Sequence, residues 1–450
     1  MRRHSRLNEW TCAVGVALAP YAGLVHADAA LPPLPAHADA PLTPVGLLSQ
    51  PIPDSTPNAA QLRRGQYLVA VGDCLSCHVR PGGEPLAGGL GMETPFGVIY
   101  TANISSDPRT GIGSWTDDQF YRAMHDGIGA NGEHLYPAFP YASFRIVTRE
   151  DDDAIIAFLR TTPAVDYTPP KNKLDFPLNF RSVVGAWNLL YLRTGEYQAD
   201  PKQSADWNRG AYLVNGLGHC GGCHTPLNAA GAEKTSEPFH GARIENWFAP
   251  DLSGNERTGL GLWSTTDIVE YLSNGRNARA SAGGPMAEVI GNSTSLLNAA
   301  DLLAVAVYLK SQAPTSVTSR AAPEPGAMLR GAAIYTDVCA SCHLQDGIGQ
   351  PSLFPRLGHD AMVQQTDAIG LEHLILAGAR TGTSSRRPSP LAMPSFAWKL
   401  TDAQIADVAT YIRNSWGNEA SGLSASDVEQ VRRHLKLETP RFTNNSGDQE

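Results

Sequence analysis

Three stretches of the chain place apolar side chains at i, i+3, i+4 spacing just behind a residue suited to start a helix. Thr148-Arg149-Glu150-Asp151 precedes Ala154 to Arg160, Asn298-Ala299-Ala300-Asp301 precedes Leu302 to Lys310, and Thr401-Asp402-Ala403-Gln404 precedes Ile405 to Trp416. Each pattern predicts a capped amphipathic helix. Upstream of each lies a second short helical pattern headed by Arg-Gly. These are Arg64-Gly65-Gln66-Tyr67-Leu68-Val69, Arg209-Gly210-Ala211-Tyr212-Leu213-Val214 and Arg330-Gly331-Ala332-Ala333-Ile334-Tyr335. The repetition predicts three units, 58–165, 205–315 and 326–420, each opening and closing on a helix. Residues 166–204 join the first two. Within that connection, Leu178 to Leu192 carries Phe180, Trp187, Leu189, Leu190 and Tyr191, too short a run to cross a bilayer. It suits either a membrane surface or packing between units.

The ends read differently. Arg2, Arg3 and Arg6 lead into a mostly apolar or small stretch, Trp10 to Val25, and Ala27-Asp28-Ala29 offers small residues for cleavage. Residues 1–29 therefore read as a secretory signal peptide; a membrane anchor is disfavoured by the short run and by Pro20. Residues 30–57 are proline-rich, lack periodicity and read as a linker. In the C-terminal tail, 421–450, Ser426 and Glu429 suggest a capping box ahead of Val428, Val431 and Leu435, followed by polar sequence. That tail either docks a partner or frays.

Composition narrows the class. With 450 residues, 42% of them hydrophobic, the chain can fill several cores, and its 43 glycines and 33 prolines favour short helices joined by long loops, a mainly α fold. The 44 acidic against 35 basic side chains leave a net charge of −9 without any long Lys/Arg run, which excludes nucleic acid as a partner.

The chemistry lies in the cysteines. Of seven, Cys12 leaves with the signal peptide, and the other six form Cys74-Leu75-Ser76-Cys77-His78, Cys220-Gly221-Gly222-Cys223-His224 and Cys339-Ala340-Ser341-Cys342-His343. This C-x-x-C-H pattern attaches c-type haem: two thiols on one helical turn form thioethers, and the adjoining histidine reaches the iron as proximal ligand. A thioredoxin-like pair would need a βαβ setting and no histidine, and zinc would need the pairs near one another in sequence. The expectation is three covalent haem c groups, with His78, His224 and His343 on iron, in three tandem class I cytochrome c domains with long loops. In so small a unit the haem supplies much of the apolar core. No G-x-G-x-x-G opens a βαβ unit and no H-E-x-x-H occurs, so electron transfer is favoured over substrate turnover by this chain alone. A haem enzyme using an open first haem and a free electron shuttle are the alternatives.

Sixth ligands are expected from loops between the haem motif and the closing helix. Met286 in Gly283-Gly284-Pro285-Met286 and Met393 in Ala392-Met393-Pro394 are the candidates in the second and third units, and Met362 lies much closer to its haem motif. Carrying their distances over to His78 gives the window 128–140, which holds no methionine but does hold His134 and Phe139. Either His134 supplies a nitrogen ligand or the site stays open or takes water; Met92, Met124 and His125 fall outside the window.

A family resemblance now emerges. Gly91-Met92-Glu93-Thr94-Pro95-Phe96-Gly97-Val98-Ile99-Tyr100, Asn103-Ile104-Ser105-Ser106-Asp107, Trp207 to Val214, Gly218-His219-Cys220 and Ala397-Trp398-Lys399-Leu400 resemble the triple-haem cytochrome c subunit of membrane-bound dehydrogenases, among them the alcohol, gluconate and fructose dehydrogenases. The resemblance implies a separate catalytic subunit carrying pyrroloquinoline quinone or flavin. Electrons would leave it through these haems for ubiquinone or another respiratory acceptor, in the periplasm at the outer face of the cytoplasmic membrane. One departure matters. Pro137-Ala138-Phe139-Pro140-Tyr141 stands where alcohol-oxidising members usually have Pro-Ala-Met-Pro-Tyr, and is similar to cytochromes that accompany molybdenum hydroxylases acting on aldehydes or N-heterocycles. Phe396-Ala397-Trp398 and Asn414-Ser415-Trp416-Gly417-Asn418 lean back to the alcohol and sugar-acid group, so both donors stay open.

Overall fold

The structure, a computed structural model, describes residues 44–440 except 194, 317–319 and 321. The expected signal peptide, linker residues 30–43 and tail residues 441–450 lie outside the described residues. In the first segment, helix α1 (Pro44–Ser49) precedes α2 (Ala59–Val71) and the haem-motif turn α3 (Cys74–Cys77). Strands β1 (Gly91–Thr94) and β2 (Gly97–Tyr100) form a hairpin, followed by α4 (Asp117–Asp126), α5 (Tyr141–Phe144) and α6 (Arg149–Leu159). A short strand β3 (Lys173–Leu174) then joins β2, and α7 (Ser182–Tyr191) completes the connection. The stretch read as a linker thus contains a helix: α1 buries Leu47 and Leu48, because Gln66 ties back the carbonyls of Leu47 and Gln50.

The second segment repeats the plan. It consists of α8 (Ala205–Asn215), the motif turn α9 (Cys220–His224), hairpin β4 (Ala242–Ile244) and β5 (Trp247–Ala249), α10 (Thr265–Asn274), α11 (Pro285–Asn292) and α12 (Ala299–Lys310). The third comprises α13 (Pro325–Ile334), a π-helical turn Tyr335–Cys339, the motif turn α14 (Ala340–His343), α15 (Ile369–Ala377), strands β6 (Ala379–Arg380) and β7 (Ala392–Met393), α16 (Asp402–Ile412) and α17 (Ala425–His434).

The closing helices start where the sequence pattern places them. Thr148, Asn298 and Thr401 each adopt extended backbone and accept a hydrogen bond from the amide three residues on, satisfying a donor that the first helical turn leaves free. Leading and closing helices then cross at a glycine. A Cβ added to Gly65, Gly210 or Gly331 would overlap the carbonyl oxygen of Ala154, Ala304 or Asp407, the equivalent position of each closing helix. Only glycine lets the two backbones approach so closely. The preceding arginine locks each crossing: Arg64 Nε lies 2.5 Å from Asp151, Arg209 forks onto Asp301 at 2.7 and 2.8 Å, and Arg330 forks onto Asp407 at 2.7 and 2.9 Å.

The first two helix pairs share one apolar core. Leu68, Val69, Leu75 and Phe158 from the first belong to the same buried cluster as Leu213, Val214, Phe239 and Leu309 from the second. A reciprocal clasp fixes them. Tyr67 donates to Asp301 and Tyr212 donates to Asp151, each at 2.6 Å, so each tyrosine reaches the aspartate held by the other pair's arginine. The third pair has Ala333 at the corresponding place and builds its own cluster around Tyr335, Ile405 and Val408. It meets the second segment through the β4–β5 hairpin, where Trp247 stacks on His373 at 4.0 Å and Arg243 Nε reaches Asp367 at 2.8 Å.

Within the described part of the tail, α17 packs against the third segment of its own chain. Its capping box is Ser424 with Asp427, not the expected Ser426 with Glu429, since Ser424 is the residue with extended backbone whose hydroxyl faces the first-turn amides. Arg432, almost fully buried, anchors it by donating to Asp402 and to the carbonyls of Ala397, Leu400 and Glu438. Among the described residues, no helix is long and apolar enough to cross a membrane.

Candidate haem sites

In all three motifs the histidine ring is held by the same device. Nδ1 of His78 lies 2.7 Å from the carbonyl oxygen of Ala102, Nδ1 of His224 lies 2.6 Å from that of Pro250, and Nδ1 of His343 lies 3.0 Å from that of Pro355. A carbonyl can only accept, so Nδ1 carries the proton and Nε2 presents its lone pair on the opposite side of the ring. Burial depresses the basicity of all three imidazoles, which keeps them in the neutral form that a metal requires.

The cysteines are six free thiols among the described residues. Burial pushes Cys74 and Cys220 up to about 12, and Cys77, Cys223 and Cys339 up to about 11. Among the described residues no three His, Cys, Asp or Glu side chains gather as a metal-ion cluster. Each cysteine pair is followed directly by its motif histidine, the arrangement that the C-x-x-C-H pattern requires for haem attachment. A further observation fits a haem. Arg276 is 8% exposed, yet its Nε and Nη1 are buried without a hydrogen-bond partner, as a guanidinium waiting for a carboxylate such as a haem propionate would be.

Entry into the motifs differs. In the first two, the residue before the first cysteine, Asp73 or His219, is left-handed with φ of 49° or 32°, turning the chain sharply from α2 into α3 and from α8 into α9. In the third, the π turn makes that junction, and buried Tyr335 donates to the carbonyl of Leu344 at 2.6 Å. The first two motifs are also neighbours. Asn292 of α11 donates to Ser76 of α3 at 2.9 Å, and the field of Asp73 acts on both Cys77 and Cys223. Burial raises the Asp73 carboxyl to about 7.

The two candidate methionines lie on other elements of their segments. Met286 sits in the first turn of α11, half-buried against the first core, and Met393 lies on β7 against the second. Three backbone bridges give the register: Ile128 with His134, Arg276 with Ser281, and Ala379 with Met393, each just after a left-handed glycine, Gly127, Gly275 or Gly378. The amides of Leu135 and Ala282 close the first two turns onto those glycines. Counting on from them brings Phe139 to the place of Met286, while His134 itself occupies the register of Met393. The Phe139 ring packs edge-on to Phe144 at 5.4 Å. His134 lies against α7, where a Cβ on Gly185 would stand 2.8 Å from its Nε2, and its Nδ1 is buried without a partner. The other first-unit candidates sit on α4 and β1. His125 Nε2 bonds Asp152 at 2.7 Å while its ring stacks on Tyr121, Met124 is a core residue, and Met92 lies on β1 opposite Ile99.

Sequence reasoning missed the three carbonyls, the glycine crossings and the tyrosine clasp. The glycines and tyrosines were visible inside the repeated Arg-Gly segments; the carbonyls carry no side-chain signal at all.

The cytochrome c family pattern matches residues 328–416. Over most of its length the chain is similar to the gluconate 2-dehydrogenase cytochrome c subunit of Pantoea cypripedii, 36% identical over 402 residues, 84% of this chain and 91% of the relative. It is likewise similar to the alcohol dehydrogenase (quinone) cytochrome c subunit of Gluconobacter oxydans, 37% identical over 393 residues, 83% of this chain and 82% of the relative. The chain belongs to the family of dehydrogenase cytochrome c subunits. As a cytochrome c it carries covalently bound haem c and works in electron transfer. This cytochrome subunit is also 40% identical over 406 residues to a nicotinate dehydrogenase subunit of Pseudomonas putida, covering 87% of itself but only 33% of that longer protein.

Proposed function

We propose that this cytochrome subunit holds three haem c groups in three tandem class I domains, bounded at 58–165, 205–315 and 326–420. It would pass electrons from the catalytic subunit of a periplasmic dehydrogenase to ubiquinone or another respiratory acceptor at the outer face of the cytoplasmic membrane. The reading rests on one observation above all: His78, His224 and His343 each give Nδ1–H to a backbone carbonyl and so leave Nε2 for iron. Haem supplies one-electron redox chemistry at its iron. The protein's residues do the remainder: Cys74 and Cys77, Cys220 and Cys223, and Cys339 and Cys342 tether, the three histidines ligate, and Met286 and Met393 offer soft thioethers that favour the reduced iron and raise the potential. Phe139 offers no lone pair at the register of Met286, so the first site has His134 as its nitrogen candidate or stays open. Adjacency of the first two motifs around Asp73 suits transfer between their haems, and the docking of the third segment on the β4–β5 hairpin extends the chain of carriers.

The donor oxidises alcohols, sugars or sugar acids in this reading, as the names of the gluconate and alcohol relatives suggest. A molybdenum hydroxylase acting on N-heterocycles or aldehydes is a second reading, favoured by the 40% identity to the nicotinate dehydrogenase relative and by Phe139. Anaerobic spectroscopy of the co-purified complex tests both. Substrate should reduce the haems, a ubiquinone analogue should reoxidise them, and bound molybdenum rather than flavin or pyrroloquinoline quinone would select the second donor. Haems that no co-purified dehydrogenase reduces would overturn the function.

A further inference from the structure

We propose that the third segment positions the sixth ligand of the second haem site, with Gly382, Trp247 and His373 as positioning residues for Met286. This rests on the reading of Met286 as a thioether ligand and adds what holds it in place.

The Met286 turn cannot hold itself. Gly283 and Gly284, which lead into Pro285 and Met286, have no side chains to pack, and Gly284 is left-handed with φ of 56°. Methionine is unbranched with three rotatable bonds, so the place of its sulfur depends on how its backbone is fixed. Met393, by contrast, is paired strand to strand with Ala379 inside its own segment.

Two sets of contacts grip the turn, and both lead to the third segment. The first runs through β5: the Trp247 ring lies directly against Gly284, where a Cβ would stand 2.6 Å from it. The same ring stacks on His373 of α15 at 4.0 Å, and His373 gives Nδ1–H to the carbonyl of Asn246 at 3.0 Å. A Cβ on Gly283 would likewise meet Ala379 and Leu374, at 3.3 and 3.8 Å. The second set comes from the β6–β7 loop. A Cβ on Gly382 would stand 2.5 Å from the carbonyl oxygen of Ala287, the residue after Met286, and one on Gly291 3.4 Å from that of Thr383.

That loop is tied to itself. The Thr381 amide donates to the carbonyl of Leu391 at 2.9 Å, the Leu391 amide donates to the Thr381 hydroxyl at 2.9 Å, and Ser384 and Arg387 exchange backbone bonds at 3.1 and 3.0 Å. A side chain added at Gly382 must therefore displace α11 or break the loop, since close-packed backbone cannot absorb it. The loop runs on to Met393, so one braced piece of the third segment serves both thioethers. Groups that orient a ligand in this way tune the metal without touching it.

Redox titration of the haem-loaded full chain, followed together with the far-red absorption of methionine-ligated ferric haem, tests the proposal. Met286→Ala identifies the haem concerned by the potential it lowers. Gly382→Val should lower the potential of that same haem and weaken its methionine band, although Gly382 lies in the third segment. Trp247→Ala should do likewise, Trp247→Phe should restore most of the loss by keeping a ring between Gly284 and His373, and His373→Ala, the mildest change, should act in the same direction by less. In the Met286→Ala background none of them should move that potential further, because no thioether is left to position. Simple destabilisation would lower the melting temperature and leave the potential where it was. A Gly382→Val or Trp247→Ala chain whose Met286 haem keeps the wild-type potential, or loses as much again in the Met286→Ala background, would overturn the proposal. Met286→Ala that alters no potential would instead strike the ligand reading on which it stands.

Discussion

At the scale of single residues, the direction of each motif histidine's Nε2 decides what can face an iron. A histidine whose Nδ1–H is fixed by a carbonyl cannot rotate without losing that bond, and this is how His78, His224 and His343 gain a defined Nε2 direction. Met286→Ala and Met393→Ala should each remove one thioether, lowering the potential of one haem while leaving the covalent haem count unchanged. The first site should differ from both in the electron paramagnetic resonance of the oxidised protein. His134→Ala should alter its signal if the ring leaves Gly185 for iron, and Phe139→Met should convert it toward the other two. Three equivalent methionine-ligated signals in the untouched protein would contradict the reading. The attachment motifs were legible in the sequence because cysteine and histidine at fixed spacing have few other uses. The sixth-ligand side was only half legible: Phe139 stands at one register and His134 at another, a distinction that only the backbone bridges reveal.

At the scale of elements, the helix crossings decide stability. Ala has the higher helix propensity by about 1 kcal/mol, so Gly65→Ala or Gly210→Ala would stabilise an isolated helix. Here the new Cβ meets a backbone carbonyl that cannot swing aside. Overpacking of this kind costs about 1–3 kcal/mol, and the backbone obstacle places these two at the upper end. Denaturant midpoints should therefore fall in both variants, and a rise in either would mean the helices do not cross at glycine. The leading and closing helices could be read from periodicity and caps, since those signals are local. The α1 helix and the true cap of α17 could not, because α1 is short and each depends on what packs against it: Gln66 for the first, Arg432 and its carbonyl partners for the second.

At the scale of the whole molecule, three repeats in sequence become two apolar clusters in space. The difference lies in two tyrosines. Tyr67 and Tyr212 reach across to Asp301 and Asp151, whereas the third leading helix offers Ala333 and stays outside the clasp. Burial works against ionisation of Asp301, but the hydrogen bonds from Arg209 and Tyr67 outweigh it and hold the carboxyl below its ordinary value. A depressed carboxylate lends stability that is complete above its unfolded value, about 4, and is lost as the pH falls through the lower folded value. Acid should thus loosen the joint between the first two helix pairs. Asp301→Asn should remove this part of the acid dependence and cost roughly 2 kcal/mol at neutral pH, less than the ~3–5 of a fully buried pair because Arg209 reaches solvent. Urea midpoints measured from pH 7 down to 3 for both proteins check it; parallel curves would mean the clasp is dispensable.

The most direct test of the three-haem reading is the mass of the denatured, mature protein. On that reading the three motifs should give three haem additions, and chemical alkylation should then find none of the six thiols of Cys74, Cys77, Cys220, Cys223, Cys339 and Cys342 free. A fully matured chain carrying two haems or fewer, with a cysteine pair open to alkylation, would contradict it.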